Sequence, residues 1–565
     1  MVLGYNLVLH PLLEKHETNS MLRKLAVVLC LVLFTPSLPE STQRLAAAPQ
    51  WPQAAGPNHD WTVKTDATVP TNWSVERNEN IRWRTTLPET GQSGIAIWEN
   101  LLFLTTMKPL PDVDESKKPK QPVQRKGSDI VLHCFDSDTG IEIWSRELSG
   151  DPEAHSIYGY GFSSSSSPTP ITDGTHVWCW NASGQMGCWT VGGDEVWTRR
   201  WQPTLGRPFN KQYEPIKIGD TVVNLEPLNP SDSQRREDAW NYLRGFDAKT
   251  GVLKWTAPEG LTHYNTPVLG ALPVGGFGIL SGRGAHHKTP EAPAGLTMTY
   301  ADGDRAGQTV WNWKAGRNGK AMSTQCWNQK YSYWLDETLT DLVVLKTTDG
   351  AEVKRISYVH DVTVTSYDEQ TEQFTTQTGV NLDESEPAVT VFPAWYANID
   401  VYPFVYFQCF YYQGKKGGRA VNSGPKHSIA RVNVETDKVE FLQIPFPTPQ
   451  IEGQQSRPYG IHYPNMTNNS RGIDVADDKR SKRAGWYWCF NGNPIAVNQY
   501  LYFTFMCGRV QVIDGSADAF DQTALVALND LGKFGETWSV NTPSYHKGKL
   551  YHRTMKELVC IGSEE

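Results

Sequence analysis

The tightest constraint on this chain is a turn written twice and a tryptophan that keeps time with it. The stretches CFDSDTGIEIW (134–144) and GFDAKTGVLKW (245–255) carry Asp, Thr, Gly and Trp in one register. Trp83, Trp144, Trp197, Trp255 and Trp311 close comparable segments, at spacings of 61, 53, 58 and 56 residues. A repeat of that period must be one supersecondary unit that buries its apolar face against the next copy. Residues 165–201 show the unit most clearly: PTPIT, HVWCW, MGCWTV and EVWTRRW read as four short strands separated by turn signals.

The turn has a mechanical reading. Asp136 and Asp247 accept hydrogen bonds from backbone amides of the turn, with Thr139 and Thr250 beside them, while Gly140 and Gly251 allow a left-handed backbone. Trp144 and Trp255 then fall on the outgoing strand, and Trp197 and Trp311 on the equivalent strands, where a flat ring covers the neighbouring sheet. A ligand role for either Asp competes with its duty in the turn. Four-stranded antiparallel units with no helical periodicity between them point to an all-β chain, a single β-propeller with blades stacked around an axis. Eight blades are expected, with seven as the alternative, over residues 81–565. The last unit, 541–563, supplies three strands, so the segment IRWRTTL (81–87) is expected to complete it and close the ring. The count is ambiguous over 320–480, where the turn decays to KTTDGAEV and VNVETDKV.

The D-x-x-T-G-x-x-x-W pattern, together with SPTPITDGTHVW and the opening WPQAAGPNHDW and WSVERNENIRWRTTLP, resembles the pyrroloquinoline-quinone-like (PQQ-like) repeat family of exported bacterial propellers. The resemblance implies two functions. One is a non-catalytic binding or scaffold protein of the cell envelope, like the barrel-assembly lipoprotein relatives. The other is a quinoprotein dehydrogenase oxidising an alcohol or sugar, with PQQ on the axis, a calcium ion polarising the quinone and a carboxylate as base. Such dehydrogenases carry an adjacent Cys-Cys pair over the cofactor, and this chain has none. The binding role is therefore the leading expectation, without a cofactor; PQQ and calcium belong to the alternative.

The remaining features bound the reading. Residues 21–35, MLRKLAVVLCLVLFT, place two basic residues before a short apolar run and read as a signal peptide, with residues 1–20 as an over-called start. The expected location is periplasmic or secreted, with no integral membrane domain after residues 1–48 are removed. Residues 49–80 read as a lead-in. A net charge of -8 on 565 residues gives no broad basic field, so nucleic acid is not the expected partner; a protein or envelope component is. Loop insertions are expected near 108–127, 359–390 and 465–485. There is no C-x-x-C among nine cysteines, but Cys179 and Cys188 flank NASGQMG and sit across a hairpin centred on Ser183 and Gly184, where an oxidising compartment can bridge them. The adjacent His286 and His287 point to opposite faces if extended and read as a surface pair. No nucleophile elbow, phosphate loop or zinc motif appears, so no catalytic residue is assigned.

Overall fold

A computed structural model describes residues 49–109, 127–151, 164–203, 214–228, 241–261, 266–283, 294–315, 324–335, 340–368, 371–385, 389–413, 426–443, 468–473, 491–533 and 535–563. These form an all-β propeller. Seven sheets contain a complete four-stranded antiparallel unit: 96–148, 171–200, 216–261, 268–314, 389–443, 495–530, and 544–561 joined by Ile81–Thr86. The eight complete blades expected are therefore seven. Where another was expected, in the decayed region, stands a three-stranded sheet, Tyr331–Trp334, Asp341–Lys346 and Glu352–Ser357, preceded by a single bridge from Trp327 to Ser332. Ile81–Thr86 pairs antiparallel with Glu557–Ile561 and so completes the last sheet from the other end of the chain.

Burial follows from position in the blade. The second strands are covered on both faces and read as nearly continuous apolar runs, such as LLFLTTM at Leu101–Met107, which is buried along almost its whole length. The outer strands face solvent on one side and alternate, as in Glu142–Leu148 and Glu195–Arg200.

The turn and its tryptophan form one joint between blades. Asp136 Oδ1 accepts from the backbone N–H groups of Asp138 and Thr139 at 3.1 and 2.8 Å and from the Thr139 hydroxyl at 2.8 Å. Asp247 repeats this with Lys249 and Thr250. Gly140 and Gly251 take φ of 71° and 69°. The indole N–H of four of the five tryptophans reaches a carbonyl of the following blade, Trp83 to Ser137, Trp144 to Val191, Trp197 to Ala248 and Trp311 to Thr347, while that of Trp255 is buried without a partner. The rings lie over left-handed glycines of that blade, so a Cβ on Gly251 would stand 2.8 Å from the Trp197 ring and one on Gly350 2.6 Å from Trp311. Trp255 packs likewise on Gly307.

A β-bulge just before the tryptophan aims it. Cys134 faces Trp144 but Phe135 faces Glu142, leaving Ile143 as the extra residue; the same slip leaves out Val196, Val353 and Val526 in other sheets. That accounts for four aliphatic side chains that are more than two-fifths or about two-fifths exposed on outer strands. Replacing Gly251 by alanine is expected to cost at least about 1–2 kcal/mol for the left-handed backbone alone, plus the clash with Trp197, read as a lowered midpoint in chemical denaturation.

One further expectation is corrected. Residues 359–390 are not a loop: Val362–Asp368 and Gln373–Val380 form a hairpin whose first strand pairs parallel with Val439–Gln443, widening that sheet to six strands. Thr365 and Thr376 hydroxyls bond across it, and Tyr367 meets Phe374 edge to face. Most of the 108–127 and 465–485 insertions, residues 1–48, His286, His287 and Cys489 lie outside the described residues.

Candidate functional site

The lead-in, which carried no role in the sequence reading, builds one end of the site. Residues 49–68 run as a strap across the C-terminal ends of the inner strands. Trp51 exchanges two backbone hydrogen bonds with Ile97, and Thr172 N–H donates to the Pro52 carbonyl. His59 meets Phe277 edge to face, and Thr62–Val63 pairs parallel with Ala496–Val497. Pro49 O lies 3.1 Å from His546 Nδ1, and the Tyr545 hydroxyl donates to Thr68 O. With the Lys217 N–H donating to the Gln53 side-chain oxygen at 3.4 Å, the strap touches six sheets separated by hundreds of residues, five of them at their inner strands. Its tryptophans anchor it, with Trp51 and Trp61 almost fully buried. His59 and Trp61 sit at φ of 65° and 63°, a region unfavourable to non-glycine residues that persists only where the surroundings hold it. Trp61 is held by its N–H to Ala55 O and its carbonyl from Ala496 N–H, each 2.9 Å.

Above the strap lies an axial pocket. Ala54 and Trp61 form its floor, and the wall comes from the stretches just before the inner strands, among them Gln92, Thr169, Glu214, Thr266, Asn493 and Asn541. The cavity volume is about 90 Å³, enough for several waters. Its wall is made of amides and hydroxyls with one carboxylate, Glu214. The Thr169 backbone N–H donates to Glu214 Oε2 at 2.8 Å. Asn541 Nδ2 donates to the carbonyls of Gln92 and Ser93, both at 2.7 Å, locking the last sheet to the first. The Asn493 amide N–H₂ is buried with no partner. Arg553 stands behind the wall and not in it: its fully buried guanidinium bonds Ser93 Oγ and the Thr105 carbonyl, and burial pulls its pKa down to about 9.

Burial raises the carboxyls at this axis. Glu214 is pushed up to about 7, against the backbone and side-chain hydrogen bonds of Thr169 that lower it. Asp400 is likewise raised to about 7 by burial, with Asn328 donating to its Oδ2 at 2.7 Å and the charge of Asp60, on the strap, adding to the rise. Burial lowers His59 to about 4. A carboxyl whose folded pKa lies above its unfolded one favours the fold while protonated in the folded state. The contribution of Glu214 is complete below about 4.5, its ordinary value, and is lost as pH rises through about 7. The thermal midpoint of the parent is therefore expected to fall between pH 4.5 and 7 relative to that of a Glu214→Gln variant; a difference between the two that does not change with pH contradicts the assignment.

None of the residues singled out in the sequence lines this pocket. Asp136, Thr139, Gly140, Asp247, Thr250 and Gly251 sit at turns between outer strands, and the tryptophans lie between blades. Cys179 and Cys188 are not bridged: Cys179 faces Gly187 while Trp178 faces Cys188, so the two thiols point to opposite faces and belong to separate apolar clusters. Burial pushes the Cys134, Cys188 and Cys560 thiols up to about 12. Alkylation of the native protein at neutral pH is expected to leave these three unlabelled by peptide mass spectrometry until denaturant is added.

No family model matches the chain, and no curated protein does. Among solved structures it is similar to quinohemoprotein alcohol dehydrogenase from Comamonas testosteroni, at 11% identity over 92% of this chain and 81% of that one, with a TM-score of 0.52. A europium-containing methanol dehydrogenase matches at 10% identity over 89% of each chain, with a TM-score of 0.46. BamB from Moraxella catarrhalis matches at 10% identity over 86% of this chain and 98% of that one, with a TM-score of 0.41. At 11% identity the first of these likenesses shows the PQQ-like propeller fold and nothing finer.

Proposed function

We propose that this chain is an exported, non-catalytic binding propeller of the cell envelope, holding a protein or another envelope component. The observation that carries the reading is the chemistry of the axial pocket: amides and hydroxyls around a single carboxylate, Glu214, over a tryptophan floor. A quinoprotein dehydrogenase is the second reading, and the fold admits it. PQQ is a tricarboxylate, and its calcium partner takes six to eight oxygen ligands with carboxylates among them. The described wall offers no Lys or Arg to meet three carboxylates and one acidic side chain to meet the ion; among the described residues no three His, Cys, Asp or Glu side chains converge. The residues present do not fit that pair, so no step is assigned to it.

The reading also takes the ring as closed by Ile81–Thr86, with the three-stranded 331–357 sheet filling an eighth position, and export as directed by the apolar segment at 21–35. Crosslinking in the native envelope tests the binding role. One reproducible partner is expected, and its loss on deleting the 362–380 hairpin would assign the contact to that edge. Recovery of abundant bystanders alone contradicts the proposal.

A further inference from the structure

The axial pocket carries more information than its size. Its open hydrogen-bonding capacity combines donors and acceptors. Asn493 is about nine-tenths buried, its backbone carbonyl accepts from the Thr542 hydroxyl, and its side-chain N–H₂ has no acceptor. A buried amide left this way costs free energy unless something in the pocket accepts from it. Thr266, itself buried, lines the same pocket with its hydroxyl-bearing side chain. Glu214, near the middle of its titration at neutral pH, offers both a donor and an acceptor. An alcohol group is itself one donor and two acceptors, so each of these three side chains can bond it.

Charged ligands meet the wrong wall. Among the described lining residues an anion would face Glu214 with no Lys or Arg, and a metal ion or ammonium would find one carboxylate beside amides and hydroxyls. The floor adds a second element. Trp61 presents a large aromatic surface, whose negative face attracts the weakly positive hydrogens of C–H bonds. Its backbone is held in the left-handed region by the strap.

The geometry points to the axial pocket as a binding site for a small, uncharged, polyhydroxylated ligand of the hexopyranose class, bound through Asn493, Thr266 and Glu214 over Trp61. This inference deepens the binding reading above and rests on it. The same chemistry is offered by a free sugar or by the terminal unit of a neutral polysaccharide.

Titration calorimetry of the purified full chain tests it, with methyl glucoside, methyl mannoside and methyl galactoside as free-sugar probes, neutral oligosaccharides of the same units as chain-end probes, and gluconate and glucosamine as charged controls. Saturable binding of at least one neutral probe is expected, weakened about tenfold or more by Asn493→Leu and by Thr266→Val, the loss of one neutral hydrogen bond in each case. Asn493→Leu should leave the thermal midpoint unchanged or raised, because it removes an unpartnered buried amide, so lost binding is not lost folding. Binding of the methyl glycosides assigns a free sugar; binding of the oligosaccharides alone assigns a chain end. No binding of any neutral probe at millimolar concentration overturns the inference, as does tighter binding of a charged control or an Asn493→Leu variant that binds like the parent. Dye-linked sugar oxidation by the same preparation loaded with PQQ and calcium would overturn the non-catalytic reading without touching the binding result, so the two failures are distinguishable.

Discussion

Replacing Arg431 by leucine is expected to destabilise the protein by about 3–5 kcal/mol, and replacing Glu440 by leucine as well to recover more than half of that loss. The two residues face each other across neighbouring strands and are both almost completely buried. Arg431 Nε and Nη2 donate to one Glu440 oxygen at 2.8 and 2.6 Å. The same guanidinium lies between the rings of Phe404 and Phe520 and donates to the carbonyls of Ala517 and Asp518. It therefore ties the six-stranded sheet to the 495–530 blade. The single substitution leaves Glu440 with Lys438 alone and two carbonyls without their donor, whereas the double substitution removes both buried charges. Chemical denaturation of the two variants checks it. A single variant that unfolds like a surface substitution would contradict the assignment.

Trp311→Ala is expected to cost a similar amount, about 3–5 kcal/mol, the usual range for deleting a buried indole. Trp311 is buried, packs over the left-handed Gly350 and donates from its indole to the Thr347 carbonyl at 2.8 Å. Gly350 lies in a turn of the three-stranded sheet, so this ring joins that sheet to the 268–314 blade, beside Trp327 on Gly270 and Trp313 against Trp334. Phenylalanine should lose less than alanine, because it keeps much of the ring contact and surrenders the indole hydrogen bond. Equal losses for the two would place the energy in the hydrogen bond and not in the packing.

The joints between blades were legible in the sequence because every part of each is local or periodic. The Asp side chain satisfies amides two and three residues on, the glycine supplies the left-handed step, and the tryptophan finds the equivalent glycine one repeat later. The bulge that aims the ring was not legible, since one extra residue in a short outer strand leaves no mark on a pattern read for alternation. The 362–380 hairpin was missed for a related reason. Its outer strand, QFTTQTGV, lies at a sheet edge with little buried on either face, so it lacks the apolar alternation that announces a strand.

The pocket was beyond reach of sequence reasoning in another way. Gln92, Glu214, Thr266 and Asn493 come one per blade, each from an irregular stretch before an inner strand, and nothing in their spacing relates them. The strap left one clue: Trp51, Trp61 and Trp73 within a Pro- and Gly-containing segment with no hairpin partner of its own. Aromatic residues so placed need distant cover, and the inner strands supply it.

The central claim is that the axis of this propeller binds without performing redox chemistry. The most direct measurement is to load purified protein with PQQ and calcium and follow the quinone absorbance together with dye-linked oxidation of alcohols and sugars. The pocket chemistry predicts no saturable quinone spectrum at micromolar cofactor and no turnover. A stoichiometric bound quinone that oxidises either substrate class would contradict it.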